Sequence, residues 1–215
     1  VAYPEMTQRF VEGALIGHSH RINELVIDSL VSGSTAVAPT GFGSATTSIL
    51  SALELVAEDM KYANRMPRAG SLEVVFPFWA RGLVRADLSN RLGINMLDVT
   101  DAMIDSWMRE RQVNTQFVYD WQDDLADGAS GFGASTPQTD WPSAVDFLIY
   151  PAGTWVKGES DIITVDAIYD SVNLPKNNYT ALFTEEGWMT MKRGHDSRVV
   201  TVDAWNSFGD VNAGT

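Results

Sequence analysis

The spacing of apolar and polar positions divides the chain into a helix-rich front and a strand-rich back. Between Glu5 and Val31, apolar residues fall at Phe10, Ala14, Ile22, Leu25, Val26 and Leu30, close to the helical period. Pro4 stands in front, where its fixed φ and missing N–H are tolerated. Unbroken, such a helix would be ~40 Å long at 1.5 Å per residue. Gly13 and Gly17 weaken it by about 1 kcal/mol each relative to alanine. The stretch from Ser32 to Ser44 holds Gly33, Pro39, Gly41 and Gly43, a turn-rich break that marks a candidate boundary.

The cleanest period follows, from Thr46 to Asn64, with a stripe of Ile49, Leu50, Leu53, Val56, Ala57 and Met60. Leu72 to Phe76 reads as a short strand stopped by Pro77. A third helix runs from near Phe78 to Gly93, a natural glycine stop. A fourth runs from Thr100 to Arg111, capped by Asp98 or Thr100, with Asp101 in its first turn. Val113 to Tyr119 is a further strand. The mixture predicts an α+β module.

Asp123 to Pro142 is too irregular for an ordinary connection and reads as a functional or mobile loop. Beyond it strands are predicted at Ala144–Tyr150, Thr154–Lys157, Ile162–Ile168, Tyr179–Phe183, Trp188–Arg193 and Arg198–Val202. A turn cluster from Asn173 to Asn178 sets the last three apart. No internal repeat is visible.

At 215 residues and 45% hydrophobic, the chain can build a sizeable core without staples. It holds no cysteine, which excludes disulfides, thiolate metal sites and a cysteine nucleophile. The net charge of −13 argues against phosphate-driven, sequence-specific nucleic-acid binding, which needs clustered Lys and Arg. No apolar run approaches the ~18 residues of a membrane span. The first ten residues lack the apolar core of a signal peptide. A first residue of Val1 suggests an N-terminal segment missing or removed.

Candidate chemistry is sparse. His18, Ser19 and His20 invite a metal or nucleophile reading, with Glu24 or Asp28 as a loose third member. Histidines two positions apart on one helix point about 200° from each other, so they cannot share a metal. A packing or inter-subunit role fits them better. His195, Asp196 and Ser197 form a second trio, read as a hairpin between the last two strands. Asp120, Asp123, Asp124 and Asp127 form an acidic cluster without the spacing of a calcium loop. It reads as a solvated loop. Gly41-Phe42-Gly43 lacks the third glycine of a dinucleotide fingerprint. Asn178-Tyr179-Thr180 is a glycosylation triplet without a secretion signal. The seven tryptophans, Trp79, Trp107, Trp121, Trp141, Trp155, Trp188 and Trp205, lack basic partners for stacking bases and suit core and subunit contacts. No catalytic, cofactor-binding or metal residue is assigned, and the chain is not expected to be an enzyme or to carry a cofactor.

The order of segments carries more. The run "LEVVFPFWARGLVRADLSNRLGINMLDVTDAMIDSWMRERQVNTQFVYDWQ", Leu72 to Gln122, resembles the major capsid proteins of tailed phages with the Hong Kong 97-type fold, especially those of actinobacterial phages. "ALIGHSHRINELVIDSLVSGSTAV" is similar to that family's spine helix, and "FLIYPAGTWVKG" and "EEGWMTMKRGHDSR" to its later strands. The likeness is collinear from about Phe10 to Val202. It implies a peripheral domain over 1–38 with the spine helix, an axial domain over 39–176, and a return to the peripheral domain over 177–215. The spine helix would pack on the last strands, from about Asn178 to Val202, and the Asp123–Pro142 loop would be axial. The family's N-terminal arm and extended loop have no counterpart in this chain.

The implied function is a self-assembling structural subunit of an icosahedral head enclosing double-stranded DNA. Its partners would be copies of itself as pentamers and hexamers, with scaffold, portal and decoration proteins, and packaged DNA held without sequence specificity. There would be no membrane partner. The implied location is the virion capsid, assembled in the bacterial host cytoplasm. Alternatives are an encapsulin-like nanocompartment shell, a small hydrolase using His18 or His195, and a monomeric ligand-binding domain.

Overall fold

The computed structural model describes residues 4–40, 49–123, 132–134, 136–139, 141–160, 163–167 and 182–203. The fold is α+β. A five-stranded sheet in the order β1-β9-β4-β2-β3 forms its centre. Its strands are β1 (Thr35–Val37), β2 (Leu72–Pro77), β3 (Val113–Val118), β4 (Ala144–Pro151) and β9 (Arg198–Asp203). The outer pairs, β1 with β9 and β2 with β3, are parallel, while β4 is antiparallel to both its neighbours.

The inner strands β2, β4 and β9 are mostly apolar on both faces because both faces are covered. Leu72, Val74, Phe76, Val145, Phe147, Ile149, Val200 and Val202 point to one side. There they meet α2 (Ile49–Ala63), α3 (Ala80–Leu92) and α4 (Asp101–Glu110). Val75, Leu148, Tyr150 and Val199 point to the other, against Ile27, Leu30 and Val31 of α1 (Pro4–Ser32). Every residue of the predicted α2 stripe is buried. Gly93 ends α3 in the left-handed region at φ 65°, its N–H donating to the Ser89 carbonyl, as the sequence suggests.

Three expectations change. The expected packing stripe of α1 begins at Phe10 and Ala14, yet both are exposed, and the sheet takes only the last ten or so residues of the helix. A short strand, β1, lies inside the stretch read as a break. The last two strands do not form a hairpin. β8 (Trp188–Lys192) pairs with β5 (Trp155–Glu159), whereas β9 crosses to the central sheet. The described strands from 177 onward are thereby split among three sheets. β6 (Ile163–Ala167) and β7 (Leu182–Glu185) form a third, two-stranded sheet. The 173–178 turn cluster lies outside the described residues.

The β5–β8 ribbon lies against α1. Lys192 Nζ donates to the Gly33 carbonyl at 2.8 Å, and the Ser29 and Thr190 hydroxyls are hydrogen-bonded. At Gly33, just after α1, an added Cβ would stand 2.5 Å from the Trp155 ring, so a larger residue there must displace that ring.

Tyr150 supplies a test of the second face. Its phenol is pushed up to about 12, first by burial and then by the Glu73 carboxylate directly across the strand pair. Burial raises the Glu73 carboxyl above its ordinary value as well. An unfolded tyrosine ionises near roughly 10, so above that pH the unfolded chain releases a proton that the fold retains. This contribution to stability is complete below ~10 and is lost as pH rises through about 12. The thermal midpoint should therefore fall more steeply between pH 10 and 12 than that of Tyr150→Phe. Equal slopes would contradict the assignment.

Candidate functional site

The parallel pairing of β2 with β3 decides which surface residues come together. Leu72 N donates to the Gln112 carbonyl where the pair begins, and Phe78 N to the Val118 carbonyl where it ends. Loops from distant parts of the chain therefore meet at two opposite ends of one strand pair, ~20 Å apart for six residues at 3.3 Å each.

At the starting end is a cleft of about 910 Å³ between the C-termini of α2 and α4 and the turn that follows α2. Lys61, Arg65, Arg68 and Arg111 line it, against only Glu58 and Glu110. Lys61 is bonded to Glu58, and Arg111 to Glu54 at 2.8 Å while lying 3.8 Å over the Trp107 ring. Arg65 and Arg68 are exposed and have no ion-pair partner among the described residues. Tyr62 beside them is 77% exposed.

The finishing end holds a cleft of about 640 Å³ beneath α1. Its floor is aromatic. Phe78 stacks on Tyr119 with centroids 4.0 Å apart, and Trp79 stacks on Phe132 at 5.5 Å. Tyr119 remains 63% exposed. Glu24, Asp120 and Asp123 also line the cleft, together with His20 and with Arg21 as the one guanidinium among the lining residues.

The sequence-predicted candidates disperse. His18 Nε2 lies 3.2 Å from Glu186 Oε2, and His20 Nδ1 lies 2.5 Å from Asp120 Oδ1, so the two histidines turn to different partners. Asn23 also donates to Asp120, at 3.0 Å. Ser19 is exposed, Asp28 is exposed, and Glu24 accepts from Arg21 instead of either histidine. The His20–Asp120 pair has the form of a base with its orienting carboxylate. The described residues lining its cleft include no serine or threonine to serve as nucleophile.

The 195–197 trio separates as well. Asp196 accepts from Arg198 at 2.8 Å, and His195 is exposed. Ser197 is fully buried, within hydrogen-bond distance of the Ser34 hydroxyl at 2.6 Å and accepting from Trp155 Nε1 at 3.0 Å. This hydroxyl joins the end of α1 to β5 and β9. Asp124, Asp127, Gly41, Phe42, Gly43, Asn178, Tyr179, Thr180 and Trp205 lie outside the described residues, as does half of the 123–142 loop. Among the described residues, no three His, Asp or Glu side chains gather as a metal site would need. No described helix is long and apolar enough to cross a membrane.

Sequence reasoning missed the apolar surfaces that the fold leaves open. On α1, Phe10, Leu15 and Ile16 are 71%, 43% and 59% exposed. Between α3 and α4, Leu92, Ile94, Met96 and Leu97 form a second group, and Met189 and Met191 a third on the outer side of β8. The alternation in "WMTMK" could have flagged the last, since one of its two faces must turn away from α1.

Compared with protein families, with curated proteins and with solved structures, the chain matches none.

Proposed function

We propose that this chain is the major capsid protein of a tailed phage, a self-assembling subunit of an icosahedral head enclosing double-stranded DNA. The observation that carries the reading is the state of α1. This helix of 29 residues is ~44 Å long, yet from Gln8 to Gly17 only Val11 is even half-buried. Isolated helical segments are marginal in water and gain most of their stability from packing an apolar face. A helix that carries Phe10, Leu15 and Ile16 into solvent is accounted for when a neighbouring copy covers it. In this reading α1 is the spine helix, the β5–β8 ribbon belongs with it in the peripheral part, and the five-stranded sheet with α2–α4 is the axial part. β9 then returns to the axial part instead of staying peripheral. A net charge of −13 suits a container that must not grip its packed DNA.

The test is Leu15→Asp combined with Ile16→Asp. Both positions lie outside the core, so the stability of the isolated subunit should change little, by about 0.5 kcal/mol or less per substitution. Assembly, followed by light scattering on size-exclusion chromatography, should be abolished. A double variant that assembles like the parent removes the support for this reading.

A further inference from the structure

We infer that the two clefts at opposite ends of the β2–β3 pair are the two halves of one head-to-tail contact, with the Arg65–Arg68 turn of one copy seated on the aromatic, acidic cleft of the next. This rests on the self-assembly reading and adds to it which surfaces meet. The first cleft carries four cations against two carboxylates, and the second three carboxylates against one guanidinium. Arg65 and Arg68 are exposed, and no partner within the described residues satisfies them. The other cleft offers a guanidinium the exposed ring of Tyr119 on its stacked Phe78, beside the negative charges of Asp123 and of Asp120, the latter already held by His20 and Asn23. Its volume of about 640 Å³ is within the range that encloses small ligands and side-chain clusters.

Because the complementary surfaces differ and lie at opposite ends of the β2–β3 pair, the contact is heterologous, and repetition closes a ring or extends a chain. The occupant is thus a second copy of this chain.

Charge exchange tests the geometry. Arg65→Glu with Arg68→Glu leaves a chain with an intact cleft and a reversed turn. Asp123→Lys leaves an intact turn and a reversed cleft, and Tyr119→Lys is a second cleft variant in case Asp123 supports its own loop. Circular dichroism checks that each folds. Alone, each variant should associate roughly a hundredfold more weakly than the parent chain at low salt. Mixed in equal amounts, a turn variant and a cleft variant should recover association, since every contact in an alternating assembly is then complementary. Variants that associate like the parent, or that stay apart when mixed, overturn the inference while leaving self-assembly standing. A parent chain that never associates overturns both.

Discussion

Phe147→Ala is expected to lower the stability of the fold by about 4 kcal/mol, moving its thermal midpoint down by roughly 8–16 °C. Phe147 is fully buried on β4, the middle strand of the five, and faces the layer of α2, α3 and α4. Its ring lies 4.9 Å from that of Phe76, which in turn stacks on Phe117 at 5.7 Å. Truncation removes the transfer free energy of a large side chain and leaves a void between two layers that cannot close independently. The aromatic pair adds about 0.5–1.5 kcal/mol beyond its area. Leu97→Ala is the control, because Leu97 is 90% exposed and its loss should cost no more than about 0.5 kcal/mol. Similar midpoints for the two variants would mean that the central sheet does not hold the fold together.

Asp87→Ala should cost about 3 kcal/mol, for a reason the sequence does not display. Asp87 is fully buried on α3, and its Oδ2 accepts from the Leu50 N–H at 2.6 Å, in the first turn of α2. It satisfies one of the backbone donors that every helix start leaves open, and its negative charge lies at the positive end of the helix dipole. A hydrogen bond to a charged group contributes about 1.5–3 kcal/mol, and the buried Leu50 donor loses this acceptor on truncation. Asp87→Asn keeps an acceptor oxygen and should lose only about 1 kcal/mol. Equal midpoints for the alanine and asparagine variants, by thermal or urea unfolding, would contradict this account.

These two residues show where sequence pattern stops being informative. The α2 stripe is legible because a single face of that helix is buried, and burial on one face is what periodicity records. The α1 pattern misleads, since apolar residues near its N-terminus face solvent and its covered residues are confined to the last turns. The hairpin expected at 195–197 fails for a topological reason. Adjacent strands pair through a turn only when no distant strand offers a better edge, and β9 finds β1 and β4 instead. Thr35-Ala36-Val37 carries a β-branched signal between Gly33 and Pro39, but three residues are too few for a period to register.

The candidate surfaces were legible only in their elements. Helical geometry alone sends His18 and His20 apart, as found. Their partners, Glu186 and Asp120, stand 168 and 100 positions away and follow from no local rule. The two clefts are further removed still, since each is assembled by parallel pairing of strands 41 positions apart. The acidic cluster read as a loop gives one residue, Asp120, that fastens α1 to the body through His20 and Asn23.

Electron microscopy of the purified chain at rising concentration tests the central claim most directly. The account predicts rings of five or six copies and closed shells, with α1 buried at contacts between subunits. A population of single 23.6 kDa particles at every concentration, with Phe10, Leu15 and Ile16 still open to solvent, would contradict it.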